Sequence, residues 1–451
     1  MSTTASSLQL LEPGHPDYEE ACRLHNAMHA RRPASVARCA GPADVAAALR
    51  HARDAGLPVS VRGGGHHVAG HAIVDGGLVV DTTPMKELVV DPAARTVRAG
   101  AGLRWGELDA ATQDYGLAVT GGRDSTTGGA GQALGSGSGW LERRLGLTGD
   151  NLLAVELVTA DGRHVRATPH TEADLFWAMR GAGANFGVVT ALELRLHPVG
   201  PVVYGGMLMF EGDDRAAIVR AWRDVNDAAD HALGTAPALI TAPPAPFVPE
   251  PLRGRPAVGM FVCWSGDPAR GVDAVAPLRA LGPVAVDGVR PMPYTEVQKL
   301  VEPVAPWGLR EYWKAENVRA LGDAAIDVLV GAHDACPSPL TTIVIEPKLG
   351  AIAHLPEDAT AVGARDASHT WYAFGGWEDP ADDTANIAWA RELAAAMAPY
   401  GMPRIAPNFL DGDEGARAAT AFGAGKYERL RRLKRTWDPE NVFRSCTNIV
   451  P

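Results

Sequence analysis

Two glycine-dense segments about sixty residues apart constrain this chain more than any other feature. The first reads Val61-Arg62-Gly63-Gly64-Gly65-His66-His67-Val68-Ala69-Gly70-His71; the second, Gly121 to Gly139, holds eight glycines in nineteen residues. Glycine weakens helices and strands through the freedom it has when unfolded, so such density belongs where backbone turns with positive φ or closely approaches something large. Successive N–H groups freed by glycine turns form nests for an anion such as a pyrophosphate, and stretches without Cβ atoms accommodate a flat ring. A dinucleotide offers both. A third segment, Gly181-Ala182-Gly183-Ala184-Asn185-Phe186-Gly187, has the spacing of a nicotinamide-dinucleotide turn. A helical pattern from Thr171 to Met179 precedes it and a strand from Val188 to Leu196 follows, which reverses the order a Rossmann turn requires.

A chain of 451 residues can bury a large core and divides into two domains on length alone. Its formal net charge of −11 argues against a nucleic-acid partner, because phosphate backbones are met with surplus Lys and Arg. No basic stretch followed by a long apolar run opens the sequence, and no apolar run reaches membrane-spanning length. The five cysteines, at 22, 39, 263, 336 and 446, are odd in number and scattered, without CxxC spacing. They read as reduced thiols, so the expectation is a cytoplasmic protein with no membrane partner.

From Pro33 to about Pro198 the pattern is α+β. Pro42 to Ala52 has helical spacing, while Val59–Arg62, Leu78–Asp81, Thr96–Ala99 and Leu153–Thr159 read as strands, the first running straight into the glycine turn. Beyond Pro198 strand-like runs, Val203 to Phe210 and Val258 to Trp264, alternate with helices such as Arg215 to Ala229; Ala242 to Pro251 and Cys336 to Leu340 read as surface loops.

Four ordered blocks give the chain a family likeness. They are Arg62-Gly63-Gly64-Gly65-His66; Gly128 to Leu141 with Gly146-Leu147-Thr148-Gly149-Asp150-Asn151-Leu152; Asp174 to Thr190; and Trp437-Asp438-Pro439-Glu440-Asn441-Val442-Phe443-Arg444 with Asn448-Ile449. Together they resemble the berberine bridge enzyme-like oxidoreductases of the p-cresol methylhydroxylase/vanillyl-alcohol oxidase (PCMH/VAO) superfamily, in the bacterial 6-hydroxynicotine oxidase-like branch. The resemblance implies an α+β fold: a PCMH/VAO-type FAD domain over residues 1–200 (about 33–198), a substrate domain over 201–403 with an antiparallel sheet flanked by helices, and a segment, 404–451, that returns to the FAD domain. It implies FAD contacts at Arg62, Gly63, Gly64, Gly65, His67, Gly70, Gly121, Gly122, Asp124, Thr126, Thr127, Gly128, Gly131, Gly135, Gly137, Gly187, Val188, Val189, Asn408 and Asn448.

His66 falls where that family bonds the flavin 8α-methyl carbon covalently, which needs a neutral imidazole nitrogen beside the methyl group. A loop histidine bonded only to backbone is the plain alternative. A metal held by His66, His67 and His71 lacks an acidic or thiol ligand at a recognised spacing, so no metal is expected. Asp124 stands where doubly attached relatives carry a cysteine, which implies attachment through His66 only.

The substrate side carries less signal. Thr342 to Ala351 reads as a strand, and period two puts Val344, Glu346 and Lys348 on one face. Glu346 or Lys348 is then either an acid/base group over the flavin, with the carboxyl pKa raised by desolvation, or half of a surface ion pair on an edge strand next to Pro347. Tyr312, Trp313, Tyr372 and Trp377 are either pocket walls or core aromatics. Ala406-Pro407-Asn408-Phe409 keeps the asparagine of the family's Tyr-x-Asn and lacks its tyrosine, so Asn408 is an active-site candidate and a phenolic base there is excluded. The expected activity is oxidation of a small organic substrate, in bacterial secondary metabolism, by hydride transfer to flavin N5 with dioxygen returning as hydrogen peroxide. A flavin-containing cyclase without net redox change and a metabolite-binding flavoprotein remain alternatives, as do monomer and homodimer.

Overall fold

The computed structural model describes residues 8–212, 214–444 and 447–451. Cys446 lies outside them; Cys22, Cys39 and Cys263 are free and buried, and Cys336 is free and half-buried. Among the described residues no helix is long and apolar enough to cross a membrane.

The helix Pro42–Asp54 begins at a proline, whose fixed φ suits a first turn, and buries Val45, Ala48, Leu49 and Ala52 along one stripe. It links strands Ser35–Arg38 and Val59–Arg62, which flank Leu78–Asp81 in parallel; a parallel pair needs such a crossover. Gln9–Leu11 completes this sheet of four. Leu88–Asp91, Thr96–Gly100, Val188–Arg195, Leu152–Val158 and His164–Ala167 form an antiparallel sheet of five in that spatial order. Between Thr96–Gly100 and Leu152–Val158 the chain makes the second glycine segment, ordered around the short helix Gly129–Leu134.

Residues beyond 200 build a nine-stranded antiparallel sheet, whose middle runs Pro256–Trp264, Leu233–Thr241, Thr342–Pro347, His369–Trp377, Arg310–Val318. Side chains alternate across its faces. Ile343, Ile345, Trp371, Ala373, Tyr312 and Trp377 join Trp222, Leu329 and Leu393 of the helices Arg215–Ala228, Asp323–Asp334 and Asp383–Met397 in one core. The opposite face, with Val344, Glu346, Tyr372, Phe374 and Trp313, looks into a cavity shared with the glycine segments. The chain then returns: Phe422, Leu430, Phe443 and Ile449 bury into the core of the first two sheets. Lys434, fully buried on the helix Ala424–Trp437, donates to Asn185 O, Phe443 O and the Asp438 carboxylate at 2.7–2.8 Å.

The strand carrying Glu346 is therefore interior and not an edge. Pro347 stands at its last position, where the ladder loses least from a missing N–H; the segment read as strand to Ala351 stops there and turns at Ala351–His354.

Candidate active site

The strand Val59–Arg62 delivers the first glycine segment to the cavity, and the two segments meet backbone to backbone: a Cβ on Gly64 would stand 2.3 Å from Gly128 N. Gly131 differs. A Cβ there would meet nothing within 4 Å, because that residue opens onto the cavity, whose volume is about 440 Å³. The N–H groups of Gly63, Gly64, Gly65 and His66 donate to no acceptor among the described residues. A run of free donors beside a wall without Cβ atoms fits a flavin dinucleotide.

Gly63, Gly64, Gly65, His66, His67, Gly122, Asp124, Thr127, Gly128, Gly131, Gly135, Gly137, Gly187, Val189 and Asn408 line the cavity. Other candidates stand behind its wall. Arg62 is buried, with its guanidinium 3.8 Å from the Asp81 carboxylate and donating to Arg23 O. Gly70 packs against His29 and Gly121 against Trp105 so closely that a Cβ would clash. Val188 is committed to its ladder with Val158, and near Asn448 it is Phe443 and Thr447 that line the space. Asn408 closes down on Gly135, where a Cβ would lie 1.9 Å from its Oδ1.

Two proposed walls are corrected by strand parity. Trp313 and Tyr372 stack at 5.4 Å on the cavity face, with Phe374 edge-on to Trp313. Tyr312 and Trp377 point to the helix side, where Tyr312 donates to Asp413 and Trp377 to Asp383. Lys348 is displaced too: it borders a small neighbouring chamber, not the main cavity.

His66 sits in a designed-looking hydrogen-bond chain, with Nε2 2.7 Å from Thr126 Oγ1. The Thr126 hydroxyl donates to Asp124 Oδ1 at 2.7 Å and accepts from Trp307 Nε1 at 3.2 Å. The His66 nitrogen facing it is therefore assigned as N–H, which leaves Nδ1 with a lone pair. Burial, then His25 and Arg104, hold the His66 pKa well below the ordinary histidine value. Ligand atoms of His25, His66 and Asp124 come within 4.8 Å of one another, but His25 Nε2 faces Ala305 O, its Nδ1 is ion-paired with the Glu311 carboxylate, and Asp124 Oδ1 accepts from Thr126.

On the sheet wall Glu346 is buried and paired, its carboxylate 2.6 Å from Arg123 Nη1 and 3.3 Å from Lys348 Nζ. Arg123 and Lys348 share a second buried carboxylate, Glu142, at 3.2 Å. Burial alone raises the Glu346 carboxyl; Arg123 and Lys348 outweigh it and hold the pKa below the usual range, the reverse of the expected shift. Burial and the charge of Glu346 push the Tyr372 hydroxyl well above its ordinary value, so it stays neutral beside that carboxylate. Sequence reading missed Arg123, Glu142, His25 and Glu311. Arg123, flanked by Gly122 and Asp124, offered the one local signal.

Residues 33–168 match the family described as FAD binding domain, and residues 407–450 the family described as Berberine and berberine like. (R)-6-hydroxynicotine oxidase of Paenarthrobacter nicotinovorans is 30% identical over 98% of this chain and 96% of its own. The chain belongs to the berberine bridge enzyme-like FAD-linked oxidoreductases. FAD-linked oxidoreductase pgmH of Aspergillus terreus is 29% identical across 98% of this chain and 92% of its own length. The crystal structure of 6-hydroxy-D-nicotine oxidase from Arthrobacter nicotinovorans superposes with a TM-score of 0.88 over all of both chains at 28% identity. Physcomitrella patens BBE-like 1 shares the fold at 22% identity, with a TM-score of 0.85 over 99% of this chain and 97% of its own. This berberine bridge enzyme-like protein is thus an FAD-binding oxidoreductase of PCMH/VAO-type fold that acts on a small organic molecule.

Proposed function

We propose that this chain is an oxidase that carries FAD covalently on His66 alone and oxidises a small substrate held against the wall formed by Trp313, Tyr372 and Phe374. The division of labour is that of the sequence reading: residues 1–200 and 404–451 hold the cofactor, and 201–403 supply the substrate wall. Bound FAD supplies a two-electron acceptor that dioxygen reoxidises with release of hydrogen peroxide. The observation that carries the reading is a single cavity with a neutral imidazole, His66, in its glycine-lined wall and an ionised carboxylate, Glu346, in its sheet wall.

Glu346 accepts a substrate N–H or O–H and the proton that leaves as the substrate is oxidised, while Arg123 and Lys348 compensate its charge. Tyr372, stacked on Trp313, brings a neutral hydroxyl to the cavity side of that carboxylate. Asn408, donating to Gln132 O at 3.3 Å, holds the second glycine segment in place.

The test is chemical. Flavin fluorescence should stay with the denatured polypeptide, peptide mapping should find it on His66 with the cysteines unmodified, and His66→Ala should release it. Substrate turnover should consume dioxygen in equal amount to peroxide formed. Free FAD from the unmutated denatured chain removes the covalent reading; turnover without oxygen uptake removes the oxidase.

A further inference from the structure

His25 belongs to none of the motifs, yet the fold brings it from the segment after the helix Tyr18–Cys22 to stack on His66, ring centroids 4.3 Å apart and planes 29° from parallel. Its two nitrogens face acceptors only: Nδ1 lies 3.0 Å from the Glu311 carboxylate and Nε2 3.0 Å from Ala305 O. A ring whose two nitrogens both meet acceptors carries a proton on each. His25 and Glu311 are both buried, and the adjoining Asn26 fixes their register by donating to Glu311 O and Val68 O and accepting from Glu311 N. On the other side of His66, Thr126 and Asp124 receive its Nε2 proton.

We propose that His25, clamped as an imidazolium by Glu311, is a positioning residue that keeps His66 deprotonated at Nδ1 and so permits self-catalysed attachment of the flavin. The proposal rests on His66 being the attachment point. In that reaction a C–N bond forms between His66 and the flavin methyl carbon, and one methyl C–H and the imidazole N–H are lost as protons. The electron pair passes into the flavin ring and is removed by dioxygen as hydrogen peroxide. The imidazole proton has its acceptor chain in place, Thr126 to Asp124. The stacked cation opposes a second positive charge on His66, so the attacking nitrogen stays free in mild acid. The direction of both rings' titration agrees: burial would lower the His25 pKa but Glu311 and Asp124 raise it, whereas burial, His25 and Arg104 lower that of His66. The charged and titratable groups facing the pair are Glu311, Asp124 and Arg104, with Arg23 and Arg104 also standing over Trp307, whose edge meets both rings.

The experiment uses the full chain produced in flavin-starved cells, mixed with FAD in air, with the covalently modified fraction followed by protein mass at pH 5.5 and pH 8. The unmutated chain should attach flavin at similar rates at both. His25→Phe keeps the stack without the charge, and Glu311→Gln is close in shape and removes the clamp; because His66 stays buried, each should attach more slowly at pH 5.5 than at pH 8 by about two- to tenfold, a ratio the unmutated chain does not show. If either folded variant is slowed equally at both pH values, or not at all, His25 only packs and the proposal is overturned while His66 attachment stands. His66→Ala sets the zero. If the unmutated chain never becomes modified, the attachment reading itself fails and the proposal with it.

Discussion

Glu346 is a carboxylate whose charge is decided by competition, since burial favours the neutral acid and two buried cations favour the anion. The cations win, so Glu346 is ionised well into mild acid. Two outcomes follow at this scale. Glu346→Gln, which leaves Arg123 and Lys348 with one anion fewer, should slow anaerobic flavin reduction by roughly 10² to 10⁴, leaving flavin attachment intact in stopped-flow and mass measurements. Because the folded pKa is lowered, acid should reduce that rate only below the usual carboxylate range; loss of rate already between pH 6 and 7 would show another group accepting the proton. Tyr372→Phe removes the neutral hydroxyl beside that carboxylate and keeps the ring; it should give a smaller loss, at most that of one hydrogen bond to a charged group, about 1.5–3 kcal/mol or 10- to 150-fold, and should not move the profile toward neutral pH.

The glycine segments act as elements, and two substitutions separate their two duties. Gly64→Ala puts a Cβ against the backbone of Gly128, where neither side can yield, so the purified protein should be scarce or low-melting. Gly131→Ala adds a methyl group that meets only cavity and replaces a glycine inside the helix Gly129–Leu134. It should stabilise the flavin-free chain by about 0.5–1 kcal/mol in denaturant titration while lowering flavin content. At this scale much was legible in the sequence: Val59–Arg62 and Leu78–Asp81 have the bounds their apolar runs give, and the helix Pro42–Asp54 begins at its proline. What failed was parity and neighbourhood. Tyr312 and Trp313 are both aromatic on a strand covered on both faces, so no polar alternation marks which one meets the cavity. Pro347 signals an edge only if a strand ends with its sheet, and here the chain outside Thr342–Pro347 supplies both flanking strands. His25 was invisible because the contact that gives it meaning, with Glu311, spans nearly three hundred residues.

Buried polar groups cross the junction between the cofactor-side sheets and the nine-stranded sheet, beside an apolar cluster that joins Trp140 and Leu141 to Ala236 and Phe261. Arg143, just beyond the second glycine segment, donates to Asn226 Oδ1, Asn226 O and Leu233 O of the far side. Asp109 makes the reverse connection, on the helix Trp105–Gln113 beneath the first sheets; it accepts from Gln298 Nε2 at 2.8 Å, and the same amide donates to Gly122 O in the cavity wall. Asp109 Oδ1, Gln298 Oε1 and the Tyr294 hydroxyl are all buried without a partner among the described residues, an arrangement that suits a protonated carboxyl and penalises a charged one. Desolvation accordingly raises the Asp109 pKa from 3.8 to about 7 despite the Gln298 bond. A raised folded pKa means the folded state binds the proton more tightly than the unfolded chain, so this group's contribution is full below about pH 4 and is lost as pH climbs to about 7, then constant. Asp109→Asn keeps the shape and cannot ionise. It should therefore be little altered in melting temperature near pH 4 relative to the unmutated chain but gain on it at pH 8, so that the two Tm–pH curves diverge between about pH 4 and 7 and run parallel above. Curves that stay parallel throughout would mean that Asp109 is already ionised in the folded protein and that the junction carries a charge this geometry does not compensate.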